Sequence, residues 1–374
     1  MAGAHHVLLV PGFFGFANLG DFAYFGHVRD LLAQFGPALG VRGEVRVVHT
    51  VPTASLRRRA ALLAEDVAAL LAARGGVVSI IGHSSGGLDA RLLATREASL
   101  PTEVDAEKCA RAIRAVVTVG APHHGTPVAE FFSGMLGQQL LKVLSLSTMY
   151  TIRAGRLPIR AALRLARVFR RPASPGHLVE QVASQLLADF ESDRRRTIEE
   201  FLDRVGSERD LLAQITPAAM DVFNASTQDR PGVRYGCVVA QARPPGLRSV
   251  LSSGIDPYAQ ATHALYVGLH RIASRYPLDR APRLTRAQAD ALRNAYGRIP
   301  DRKANDGMVP TLSQVWGDVV AAVWADHHDV IGHFHRPRHV PPHFDWLTSG
   351  SGFDRAHFEQ VWREVAAFIA AAAR

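Results

Sequence analysis

One stretch constrains this chain more than any other: Val77-Val78-Ser79-Ile80-Ile81-Gly82-His83-Ser84-Ser85-Gly86-Gly87. Four of its first five residues are β-branched, which predicts a buried parallel strand. Gly82 and Gly86 then bracket Ser84 in the spacing G-x-S-x-G, and residues 87–94 read as a helix. A side chain at either glycine would collide with the neighbouring strand or helix, so the stretch predicts a tight strand–turn–helix with a serine at its tip. The helix aims its N-terminus at that serine and favours negative charge there. With 31 glycines in 374 residues, chance supplies the bare pattern roughly 0.15 times per chain. Its weight comes from the strand before it and the helix after it. Ser84 is the expected nucleophile; Ser85 is the rival hydroxyl, outside the glycine bracket.

Strand and helix alternate through the rest of the chain. Residues 6–10, 44–49, 114–120, 232–240 and 319–324 read as further strands, and 30–35, 55–74 and 354–374 as helices. In the 55–74 helix Leu62, Leu63, Val67, Leu70 and Leu71 fall at helical spacing; in the last, Phe358, Val361, Val365, Phe368 and Ile369 do. This order predicts an α/β fold with a mostly parallel sheet and helices on both faces. Two intervals are too long for ordinary crossovers. The expected division is therefore a first core part at 1–127, a helical cap or lid insertion at 128–230 and a core strand at 231–243. A second helical insertion at 244–303 and the rest of the core at 304–374 follow. Within the cap, Arg153, Arg156, Arg160, Arg164, Arg167 and Arg171 recur three or four apart. That fits either an amphipathic element meeting a lipid surface or opening as a lid, or an ordinary solvated face.

Five blocks stand in order along the chain: Pro11-Gly12-Phe13-Phe14-Gly15, the turn Gly82 to Gly87, Gly120-Ala121-Pro122-His123-His124-Gly125-Thr126-Pro127, Asn305-Asp306-Gly307, and His327-His328-Asp329. They resemble the motif blocks of bacterial triacylglycerol lipases and esterases of the α/β-hydrolase superfamily. The resemblance implies an α/β-hydrolase fold and hydrolysis of carboxylic esters. A serine hydroxyl is a poor nucleophile at neutral pH; it needs a neutral imidazole, which in turn needs a carboxylate to fix its tautomer. The order Ser84, Asp306, His327 is the order of nucleophile, acid and base in that fold. His328 and His333 are rivals of His327, and Asp301 and Asp318 of Asp306. The resemblance further assigns the oxyanion-hole N–H groups to Phe13 and Ser85, with Phe14, His83 and His123 as substrate-binding side chains. The family usually has histidine where this chain has Pro11. Its secreted members often carry a structural calcium with one ligand two residues after the catalytic histidine, the place of Asp329. Spacing does not reveal the other ligands.

The expected function is a serine carboxylic-ester hydrolase working through an acyl-enzyme on apolar acyl esters, with the cluster Phe13, Phe14, Phe16, Phe22, Tyr24 and Phe25 either lining an acyl pocket or packing in the core. The same triad would also serve a polyester depolymerase, a thioesterase or an acyltransferase, and a binding protein on a hydrolase scaffold is the reading from another class. No cofactor is required, and calcium is the one candidate ion. The expected partner is a small-molecule or lipid ester. The net charge of +9 is carried mostly by arginine; with no nucleic-acid motif and no aromatic residues between the basic runs, it reads as a solubilising surface. No apolar run reaches membrane-spanning length. A strand starting almost at Met1 leaves no room for a signal peptide, which suggests the cytoplasm, although a mature form stripped of its leader would look the same. Cys109 and Cys237, one in a helical stretch and one in a strand, read as two buried free thiols.

Overall fold

A computed structural model describes residues 4–13, 24–35, 43–134, 140–141, 144–146, 158, 160–161, 163–164, 176–189, 192–207, 210–246, 249, 256–336, 338–340, 342–343, 345 and 347–372. In chain order the elements of its first half are β1 (His5–Val10), α1 (Gly26–Phe35), β2 (Val45–Val47), α2 (Leu56–Arg74), β3 (Val77–His83), α3 (Ser85–Ala94), α4 (Ala106–Arg111) and β4 (Ile113–Val119). Then come α5 (Pro127–Ser133), α6 (Gly176–Leu187), α7 (Ser192–Ser207), α8 (Asp210–Gln214) and α9 (Pro217–Ser226), followed by β5 (Arg234–Gln241). After β5 stand α10 (Pro257–Ala273), α11 (Arg286–Tyr296), β6 (Asp318–Trp324) and α12 (Arg355–Ala372).

The six strands form one sheet in the order β2-β1-β3-β4-β5-β6. Every pair of neighbours is parallel. Successive strand side chains point to opposite faces, and here both faces are covered. On one face Val7, Leu9, Ile81, Val117 and Val119 join α1, α12 and the insertion helices in one core. On the other, Leu8, Val10, Ile80 and Val116 pack with Leu63, Val67 and Leu70 of α2 and with Cys109 of α4. Both cysteines are free and buried. No described helix is long and apolar enough to cross a membrane.

Local signals fix the helix ends. Ser55 caps α2 by accepting the Arg58 N–H; Thr285 and Gln288 form a reciprocal capping box on α11, which Gly297 ends in the left-handed region. The turn around Ser84 is tighter than expected. β3 runs through His83 and α3 already begins at Ser85, so one residue makes the turn. The close approach explains it: a Cβ on Gly82 would lie 2.3 Å from the Gly86 carbonyl oxygen, and one on Gly86 2.2 Å from that of Val10. β2 is shorter than the alternating stretch 44–49, because at the sheet's edge only β1 pairs with it. Most of the expected arginine stripe lies outside the described residues. Of it, Arg160 is exposed and Arg164 donates to Gln185 at 3.0 Å.

Candidate active site

Ser84 stands at the C-terminal end of β3 with φ 54° and ψ −130°. A non-glycine residue there is strained. Its backbone is held on both sides: its N–H donates to Val119 O at 2.9 Å and its carbonyl accepts from Gly87 N at 3.0 Å. The hydroxyl makes no capping bond to α3. The loop after β1 lies directly against it, since a Cβ on Gly12 would come 2.6 Å from Ser84 Cβ. Ser85 opens α3, so its N–H has no acceptor inside the helix.

Asp306 and His327 meet. His327 Nδ1 donates to Asp306 Oδ2 at 2.7 Å, both side chains being nearly inaccessible. The carboxylate is fixed by its own turn, with Oδ1 accepting from the N–H groups of Met308 (2.9 Å) and Val309 (2.7 Å). Gln314 Nε2 donates to Oδ2 at 3.2 Å. The backbone repeats the link: His327 N–H donates to Asp306 O at 2.9 Å. With the proton of the neutral ring on Nδ1, the lone pair lies on Nε2.

Ser84 and His327 line one small cavity of about 40 Å³. The rest of its wall is almost wholly apolar, with Phe13 from the loop after β1, Met308 and Val309 from the turn after Asp306, and Phe132, Leu212 and Ile215 from the insertion after β4 among its members. A hydroxyl, an imidazole braced by a carboxylate, and an apolar pocket can together perform acyl transfer.

The solved structures similar to this chain share its fold. EstA from Clostridium botulinum matches with a TM-score of 0.56 at 19% identity, over 99% of this chain and 88% of EstA. Lipase 1 from Pelosinus fermentans matches with a TM-score of 0.54 at 16% identity, over 97% of this chain and 99% of that one. A metagenomic carboxyl esterase gives 0.52 at 17% identity, over 99% and 76%. The chain has the α/β-hydrolase fold. A curated relative, a triacylglycerol lipase of Vibrio cholerae, is 30% identical over 131 residues; that match spans 35% of this chain and 36% of the lipase. No family model matches.

Within this α/β-hydrolase fold the remaining candidates fall into place one by one. Phe13 lines the cavity, and Ser85 is buried behind it. Phe14, Phe16 and Phe22 lie outside the described residues. His83 does not line the cavity, contrary to its expected substrate-binding place. Its ring is wholly buried, bonded to Tyr24 on one nitrogen and to the His327 carbonyl on the other. His123 is likewise displaced from the substrate. It is wholly buried, its Nδ1 accepts from Arg91 Nη1 at 3.1 Å, and its Nε2 donates to Thr118 Oγ1 at 2.9 Å. His83 adjoins Ser84 in sequence and His123 lies just past the end of β4, yet both rings turn into the core, where burial keeps them well below the usual imidazole range. Among the rivals, His333 bonds the Tyr24 carbonyl, Asp301 caps its own loop at Lys303 and Ala304, and Asp318 pairs with Arg234. Tyr24 and Phe25 are buried in the core.

Asp329 has two carboxylate neighbours. One carboxylate oxygen from each of Asp326, Asp329 and Asp345 lies within 4.8 Å of the others. Burial pushes Asp326 up to about 6, and it raises Asp329 and Asp345 well above the carboxylate range, the charge of Asp326 adding to both. Ser349 and Ser351 donate to Asp326 and Asp329 at 2.8 and 2.7 Å. Three hard oxygen donors crowded out of water suit a calcium ion. Asp326 directly precedes His327, whereas Asp345 arrives from a later loop that no spacing rule connects to it.

Proposed function

We propose that this chain is a serine carboxylic-ester hydrolase acting through an acyl-enzyme on short apolar acyl esters. The observation that carries the reading is the Asp306–His327 pair, whose imidazole lines one apolar cavity with Ser84 at the C-terminal edge of a parallel sheet. His327 Nε2 takes the Ser84 proton as Oγ bonds to the ester carbonyl carbon. The N–H groups of Phe13 and Ser85 receive the oxyanion, each contributing roughly 3 kcal/mol to the transition state. The proton passes from His327 to the leaving alkoxide, and the alcohol departs. Water then gives a proton to His327 and bonds to the acyl carbon; the bond to Ser84 breaks, Oγ regains its proton, and the acid leaves. Asp306 keeps the ring in one tautomer throughout. The Vibrio relative's name, triacylglycerol lipase, agrees with ester chemistry.

A cavity of about 40 Å³ holds little more than a short acyl chain. A panel of p-nitrophenyl esters from acetate to palmitate tests this. Turnover should be highest from acetate to butyrate and fall steeply beyond. Turnover that climbs with chain length and jumps at an emulsion surface would replace the short-chain reading with a lipase whose cap opens.

The same reading includes a calcium ion held by Asp326, Asp329 and Asp345. Its contribution would be structural: it would neutralise three crowded carboxylates and brace the loop that carries His327. Millimolar calcium should raise the thermal midpoint by about 1–3 °C, a shift of ~1–2 kcal/mol, and Asp345→Asn should abolish the response. A midpoint indifferent to both calcium and chelator removes the ion from the proposal.

A further inference from the structure

We propose that Tyr24 and His83 form a strap behind the loop bearing the catalytic base, and that both are positioning residues for ester hydrolysis. The inference rests on the triad reading above. His83 ends β3 with its ring wholly buried. Its Nε2 lies 2.8 Å from the carbonyl oxygen of His327, and its Nδ1 2.6 Å from the hydroxyl of Tyr24. A carbonyl can only accept, so Nε2 carries the proton. Nδ1 then holds the lone pair, and the Tyr24 hydroxyl must donate to it. One neutral tautomer satisfies both bonds, and burial keeps the ring in that state.

The chain of contacts therefore runs from Tyr24, just before α1, through His83 to the backbone of His327. That backbone is tied at both polar groups. Its N–H donates to Asp306 O at 2.9 Å, and its carbonyl accepts from His83. The strap is itself anchored, because the Tyr24 carbonyl faces His333 Nε2 at 3.2 Å. The His83 and His327 rings stand 4.6 Å apart, so a shift of one moves the other. Neither Tyr24 nor His83 lines the cavity. Their loss should slow the chemical step and leave substrate binding alone, since misplacing a reacting group by an ångström is felt in turnover.

The test compares kcat and KM on p-nitrophenyl acetate for the wild type, Tyr24→Phe, His83→Leu and His83→Gln, with thermal unfolding of each. Tyr24→Phe should lower kcat about tenfold and His83→Leu up to about a hundredfold, with KM changed less than about twofold. His83→Gln supplies one acceptor and one donor and should recover most of the lost kcat. Wild-type kcat in both Tyr24→Phe and His83→Leu overturns the strap. So does a glutamine variant as slow as the leucine variant at the same thermal midpoint, or a rise in KM that matches the fall in kcat. If His83→Leu fails to fold, Tyr24→Phe, which removes a single oxygen, decides. A wild type that turns over no ester overturns the hydrolase reading and this inference with it; an active wild type with unaffected variants overturns this inference alone.

Discussion

Ser84→Ala should lower kcat by on the order of 10⁵-fold or more while leaving the fold intact. The hydroxyl is the only group at that position able to bond to an acyl carbon, and neither the oxyanion hole nor the imidazole can replace it. Stability should hardly change. The side chain caps nothing on α3, so no structural bond is lost, and alanine suffers the same backbone strain as serine. Ser84→Gly separates the two effects. Glycine adopts φ 54° without a Cβ clash, so this variant should be equally inactive but more stable by about 1 kcal/mol. Initial rates on p-nitrophenyl butyrate and urea unfolding of the three proteins read both quantities. A Ser84→Ala protein retaining more than about a thousandth of wild-type kcat would mean that another nucleophile does the work.

The second large effect is on stability. Arg59 of α2 and Asp89 of α3 form an ion pair with both side chains inaccessible to water, Nη2 lying 2.7 Å and Nε 2.9 Å from Asp89 Oδ2. The same guanidinium donates to the carbonyls of Pro11 (2.8 Å) and Val51 (3.3 Å). Arg59→Ala strands a buried carboxylate and two carbonyls, and should cost about 3–5 kcal/mol, a large part of a typical stability of about 5–15 kcal/mol. The double variant Arg59→Met/Asp89→Leu removes both charges and should recover part of that loss. It should not recover full activity. Pro11 directly precedes the oxyanion loop, and its carbonyl still lacks the guanidinium that held it. Urea unfolding that puts Arg59→Ala within about 1 kcal/mol of wild type would show that water reaches the stranded carboxylate.

What the sequence made legible follows from how local each signal is. Six strands and the turn at Ser84 were readable because β-branched runs and paired glycines act within a few residues. Ser84, Asp306 and His327 could be nominated because each follows a strand end in a fixed order, and the structure joins Asp306 to His327 at the cavity that Ser84 lines. Their supports were not readable. Gln314 touches Asp306 from a 3₁₀ turn, Tyr24 reaches His83 across 59 residues, and Asp345 comes to Asp326 from a separate loop. No periodicity encodes such meetings; the sheet creates them. The errors on His83 and His123 have the same origin. Adjacency to Ser84 or to the end of β4 says where a backbone passes, but packing decides which way the ring points.

About half of the cavity wall lies on a different stretch of the chain from its candidate catalytic groups. Ser84, Asp306 and His327 follow the C-terminal ends of β3, β5 and β6, while Phe132, Leu141, Leu212 and Ile215 come from the segment between β4 and β5. Appetite and chemistry are therefore inherited on different stretches of the polypeptide. A descendant could exchange the first for another menu and keep the second untouched, and a protein engineer wanting a new diet for this scaffold would begin by transplanting 128–230.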